Sequence, residues 1–147
     1  MEEIDKLSKE YNSKVYNYDV EMNAIKKIFE YAEKIQRLKA RTYQGSWKKR
    51  GWQVSIFGNI ARKFDRLESI FTDNVKFNQF LNEKFETDQE EPLIDTLIDL
   101  GVYCFLAASE LMLTKPGNFK EWIRRNGLKL NEEKDIKWLK KTRRVPW

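Results

Sequence analysis

Histidine is absent from the 147 residues, and the only cysteine is Cys104. The first absence excludes histidine acid–base catalysis, Ser-His-Asp triads and His-containing zinc sites. The second excludes an internal disulfide and a cysteine-held zinc. A lone Cys inside an apolar segment reads as a small core residue. Glycine (6) and proline (3) are scarce, which argues against all-β folds dense in tight turns. Residues 1–11 are charged and lack the apolar stretch of a secretory leader. No run is expected to supply the ~18 apolar residues of a membrane span. The expected location is therefore the cytoplasm, with no membrane partner.

Apolar residues make up 41% of the chain, enough for a real core, and the length suits a single domain over 1–147. Net charge is +5 and the pI about 9.2, a balance that favours an anionic partner such as phosphate or nucleotide. With 28 basic residues facing 23 acidic ones, a mixed solvated surface accounts for most of these charges.

Hydrophobic periodicity is helical throughout. Residues 2–12 form a short amphipathic segment carrying Ile4 and Leu7. A longer one covers 20–41, with Ile25, Ile28, Phe29, Ala32, Ile35 and Leu38 at three- and four-residue steps and Asp19 as the expected N-cap. Residues 42–54 break the pattern: Gly45 and Gly51 bracket the basic triplet 48–50, flanked by Trp47 and Trp52. Helical patterns resume over 55–71 and 77–85. An acidic loop over 86–91 leads to Pro92, where proline suits a first helical turn. The most apolar stretch then runs to about Leu111 and ends at Lys115-Pro-Gly. Shorter helices are expected over 118–125, capped by Asn118, and over 132–141, before a basic tail at 140–144. The sum is an all-α helix bundle, with a core over about 20–115 and a C-terminal helical extension over about 116–147.

Three constellations carry chemistry. Glu91, Asp95 and Asp99 are spaced i, i+4, i+8, and on a helix each such step turns only about 40° past a full revolution, so the three share a stripe. The surrounding Leu93, Ile94, Leu97, Ile98, Leu100, Val102 and Phe105 are apolar almost all round, a pattern expected of a buried helix. Unpaired carboxylates there would cost several kcal/mol each. Arg or Lys from a facing helix, or hard divalent cations such as Mg²⁺, could compensate them; the remaining alternative is a stripe that faces solvent. The second constellation is Asp65 and Glu68, three apart and interleaved with Arg62, Lys63 and Arg66; it reads as an exposed ion-paired face or as a second carboxylate pair. Four or five carboxylates without His or Cys suit hard metals, and two metals can bind a polyphosphate and activate a water. Lys63 and Arg66 can neutralise phosphate charge. The third is the loop around Tyr43, Ser46, Trp47, Lys48 and Arg50, where cations beside aromatics suit a nucleotide's phosphates and base; its tryptophans read equally as anchors of the turn.

The segments ARTYQGSWKKRG, IARKFDRLE and EPLIDTLIDLGVY, in that order, resemble the MazG-like all-α nucleoside triphosphate pyrophosphohydrolases, most of all small phage-type members acting on dATP and dGTP. The likeness covers about 30–112. The family pattern of ExxE on one helix and ExxD on the next corresponds here to Asp65/Glu68, an Asp for a Glu, and to Glu91/Asp95, at spacing four instead of three, with Asp99 a turn further on. The resemblance implies metal-dependent hydrolysis of a (deoxy)nucleoside triphosphate, a purine dNTP for the phage-type likeness, to monophosphate and pyrophosphate. It implies Mg²⁺ (or Mn²⁺) held by Asp65, Glu68, Glu91, Asp95 and Asp99, with Glu68, Glu91 and Asp95 foremost in catalysis. Tyr43, Ser46, Trp47, Lys48, Arg50, Lys63, Arg66 and Tyr103 would contact the nucleotide. It also implies a dimer or tetramer with the site in or near the subunit interface, and a host-cytoplasmic location for a phage-encoded chain. A non-catalytic nucleotide-binding or protein-interaction module on the same scaffold is the alternative. Nucleic acid is not the expected partner, because the carboxylate stripe would repel its phosphates.

Overall fold

The computed structural model describes residues 2–13, 17–82 and 91–129. Every regular element among them is helical, so the all-α expectation holds. The expected helix over 132–141, the basic tail and most of the acidic loop lie outside the described residues. The chain divides into two compact units, residues 1–50 and 51–147.

The first unit is a pair of helices, α1 (Glu2–Tyr11) and α2 (Tyr18–Tyr43). The Lys27 Nζ of α2 meets Glu3 Oε2 of α1 at 2.9 Å and Glu30 Oε2 at 3.6 Å. The N-cap of α2 is Asn17, not Asp19: its side-chain oxygen accepts the Asp19 N–H at 2.9 Å, a cap worth about 1 kcal/mol. Its other end turns through Gln44 (φ 47°) and Gly45 (φ 72°). A single 3₁₀ turn, Ser46–Lys48, follows. Gly51, at φ 90°, then opens the second unit in a backbone region that suits glycine. These left-handed residues break the helix over 44–51, a narrower gap than the 42–54 the sequence pattern suggests.

The second unit holds α3 (Trp52–Phe71), α4 (Asn74–Leu81), α5 (Leu93–Thr114) and α6 (Pro116–Arg125). Asp73 caps α4 by accepting the N–H groups of Val75 and Lys76. The α6 helix starts at Pro116, where the missing N–H costs nothing, rather than at Asn118. Helix α3 packs on α5 and α4, and α6 packs on α5. Ile56, Leu67 and Ile70 of α3 and Phe80 of α4 form the apolar core; burying each contributes about 1.5–3 kcal/mol.

Three expectations about the apolar stretch fail. Helix α5 is not buried all round: only Thr96 and Glu110 of it are buried, while Ile94, Leu97 and Phe105 stand exposed, and so does Cys104, for which the apolar setting predicts a place in the core. An apolar sequence reports the wish for burial, and within this unit α3 and α6 cover only part of the helix. At 22 residues, with a stretch of mean hydropathy 1.6, α5 is also long and apolar enough to cross a membrane by length and composition, contrary to the sequence expectation.

Candidate functional site

The site is built where α3 meets the start of α5. On α3, residues 63, 67 and 70 fall on one face, and all three are buried. Two of them, Leu67 and Ile70, are apolar, while Lys63 is a charge. On α5 the stripe begins at Glu91, just before the helix, and continues through Asp95 and Asp99. Lys63 reaches across: its Nζ lies 2.9 Å from Asp99 Oδ2 and 3.6 Å from Glu91 Oε2. Arg66, one turn on, places Nη1 3.4 Å from Glu91 Oε2 and donates from Nη2 to the Glu91 carbonyl at 2.6 Å. Its guanidinium also lies over the Phe80 ring, 5.6 Å from the centroid.

Of the two compensators the sequence leaves open, facing-helix cations are therefore present, and they act on the two ends of the stripe. Asp99 is the ion-pair partner of Lys63. Burial alone lowers the Lys63 pKa, but the Asp99 hydrogen bond and the charges of Asp99 and Glu91 outweigh it, and the ammonium is held above its ordinary value. Asp95 behaves differently. Its carboxyl is pushed above the usual range, first by partial withdrawal from water, then by the charges of Asp99 and Glu91 and by a hydrogen bond with Glu91. Lys63 offsets this only in part. The middle of the stripe thus carries negative charge that the protein does not fully neutralise.

This shift has a sign. The folded chain binds the Asp95 proton more tightly than the unfolded chain, so ionising Asp95 subtracts stability above its folded pKa, and the penalty vanishes below the ordinary carboxylate range. Asp95→Asn is expected to raise the urea midpoint at about pH 7. Its advantage over the parent should shrink to nothing as the pH falls through the mildly acidic range. Unfolding curves across that range check this.

The other sequence-expected residues are placed as follows. Asp65 and Glu68 lie on the exposed side of α3, away from the buried line of Lys63, Leu67 and Ile70. The chain by itself does not bring them to the Glu91 stripe. Tyr103 is half-buried on α5. Tyr43, Ser46, Trp47, Lys48 and Arg50 belong to the first unit. There Tyr43 and Arg50 are exposed, and the Lys48 ammonium lies 5.1 Å from the Trp47 ring centroid. Among the described residues no group of three or more carboxylate or cysteine side chains is gathered as a metal-holding set. The donor set that fits a hard cation is Asp95 with its neighbour Glu91, all oxygen: Glu91 is already ion-paired to Lys63 and Arg66, and Asp95 is the carboxylate left short of positive charge. Sequence reasoning missed Lys76 and Phe80, which line the same groove as Arg66 and Glu91. Their only sequence signal is the i, i+4 spacing on α4, and that spacing is equally common in surface helices.

Comparison with known proteins adds little identity. The chain is 29% identical over 103 residues to the Gene 30 protein of Bacillus phage SP01, a match covering 63% of this chain and 46% of that protein. It thus spans about half the length of the curated relative it matches. No protein-family model matches the chain. No solved structure matches it.

Proposed function

We propose that the chain is a metal-dependent nucleoside triphosphate pyrophosphohydrolase of the MazG-like type, cleaving purine dNTPs to monophosphate and pyrophosphate. The observation that carries this reading is the juxtaposition of the under-neutralised Asp95 and its neighbour Glu91 with Lys63 and Arg66 where α3 meets the start of α5. Carboxylates that repel one another and cations a few ångströms away are what a metal–polyphosphate complex requires of its host. Glu91 and Asp95 would hold Mg²⁺. When bound, the ion would neutralise charge on phosphate oxygens and lower the pKa of a water, so that the water can give up a proton and attack. Arg66, pinned by the Glu91 carbonyl and resting on Phe80, presents a rigid fork to phosphate. Lys63 and Asp99 act as a fixed pair that positions the stripe. Tyr43, Ser46, Trp47, Lys48, Arg50 and Tyr103 are assigned to the nucleotide. The location we assign is the cytoplasm, that of the host if the chain is phage-encoded.

The functional form in this reading is a homodimer or tetramer. Exposed Ile94, Leu97 and Phe105 of α5, and exposed Phe57 and Phe64 of α3, are more apolar surface than scattered single residues account for. A second copy covering α3 would also bring a partner to Asp65 and Glu68, which their own helix turns outward, and so complete the carboxylate set.

The second reading is a non-catalytic nucleotide-binding module on the same scaffold. The Lys63–Asp99 ion pair favours it, because it already neutralises part of the stripe without metal. Pyrophosphate release from a panel of dNTPs and NTPs, with Mg²⁺ and with EDTA, separates the two. The hydrolase reading expects Mg²⁺-dependent release, greatest with dATP or dGTP; binding without release supports the module.

A further inference from the structure

We propose that the groove between α3 and α4 is a binding site for a linear polyphosphate chain, with Arg62 and Lys76 as its outer contacts. The groove has a volume of about 480 Å³. Among the described residues four cations line it, Arg62, Lys63, Arg66 and Lys76, against the one carboxylate of Glu91. Two of the four are ion-paired, Lys63 with Asp99 and Glu91, and Arg66 with Glu91, although the Arg66 guanidinium keeps further N–H donors. The other two are not. Arg62 donates to Asn59 Oδ1 at 3.2 Å and Lys76 to Ser69 Oγ at 2.6 Å, and neither has a carboxylate within ion-pair distance among the described residues. These neutral partners orient the cations without cancelling their charge. Buried Ile70 and Phe80 floor the groove, and a poorly hydrated floor strengthens charge-assisted hydrogen bonds above it.

The layout selects the ligand class. Arg62, Arg66 and Ser69, the partner of Lys76, follow at i, i+4 and i+7 along α3, a spread of roughly 10 Å at the helical rise. One phosphate engages one or two of these positions, whereas a chain of phosphoryl groups engages them in series. Glu91, at the groove's edge, begins the carboxylate stripe. For the identity of the natural ligand, a nucleotide's triphosphate, the proposal rests on the hydrolase reading; the anion site itself does not.

The test is calorimetric titration of the full chain with inorganic tripolyphosphate in EDTA, at about 50 and 200 mM salt. Binding is expected at the lower salt and should weaken at the higher. Arg62→Gln with Lys76→Gln should weaken it about tenfold, as loss of charge-assisted contacts implies. Circular dichroism checks that the double variant is folded. Three results overturn the proposal: no tripolyphosphate binding; equal binding by the double variant; or binding seen only after Glu86, Asp88 and Glu90 are all changed to Gln, which would mean the chain's own acidic segment is the occupant. Tripolyphosphate binding without nucleotide turnover would refute the hydrolase reading and leave this one standing. Turnover in a protein whose tripolyphosphate binding ignores Arg62 and Lys76 would do the reverse.

Discussion

Lys63→Met is expected to destabilise the second unit by about 2–3 kcal/mol, toward the low end for breaking a buried ion pair because Asp99 and Glu91 keep contact with water. The Lys63 side chain is only 10% exposed, against 26% for Asp99 and 54% for Glu91. Removing the ammonium leaves three carboxylates on consecutive turns with Arg66 alone beside them. Domains of this size are stable by only about 5–15 kcal/mol, so the loss is large. With a urea slope of about 1–3 kcal/mol per molar, the midpoint should fall by about 1–2 M. Adding Asp99→Asn to Lys63→Met should recover part of this, because the orphaned charge is then gone. The stability that Lys63 lends is present in full below the ordinary lysine pKa. It is lost as pH rises through the raised folded value, so the gap between parent and Lys63→Met should narrow in strong alkali. A Lys63→Met protein as stable as its parent at neutral pH would mean that the stripe has no need of the cation.

Glu91→Gln is expected to lower Mg²⁺-dependent turnover at least about 100-fold, on the scale of losing one electrostatic contact to the transition state. The substitution preserves shape and removes one of the two carboxylates assigned to the metal. It leaves the Arg66 hydrogen bond to the Glu91 backbone carbonyl intact, so folding should survive and thermal unfolding should confirm that it does. The ligand pair also predicts a metal signature: the Mg²⁺ concentration for half-maximal activity should rise in the variant. Glu68→Gln is the informative companion. A comparable loss would place the Asp65–Glu68 pair in the same site, supplied by a partner copy, since its own helix faces it outward. Unchanged activity would confine the site to Glu91 and Asp95.

Much of this arrangement is legible in the sequence because periodicity is a local property. The i, i+3, i+4 recurrence of Ile56, Phe57, Ile60, Phe64 and Leu67 finds α3, and Lys115-Pro-Gly fixes the α5–α6 break. Helix starts are read less well. Asn17 outcompetes Asp19, and Pro116 outcompetes Asn118, because a cap is decided by backbone geometry that several nearby polar residues can satisfy. The stripe of Glu91, Asp95 and Asp99 is visible from spacing alone. Its neutralisation is not. Lysine is rarely buried, and nothing local marks Lys63, rather than Arg62, as the cation that crosses to α5. The exposure of Ile94 and Leu97 is equally hidden, since an apolar residue specifies that it will be covered and not by which surface.

The most direct measurement is phosphorus NMR of dATP and dGTP incubated with the protein and Mg²⁺ in oxygen-18 water. The expected spectrum shows equal amounts of nucleoside monophosphate and pyrophosphate, with the heavy oxygen on the monophosphate, and only intact triphosphate when EDTA replaces Mg²⁺. An unchanged triphosphate signal for every nucleotide tried, with metal present and the chain folded, would contradict the assignment of Glu91 and Asp95 to hydrolysis.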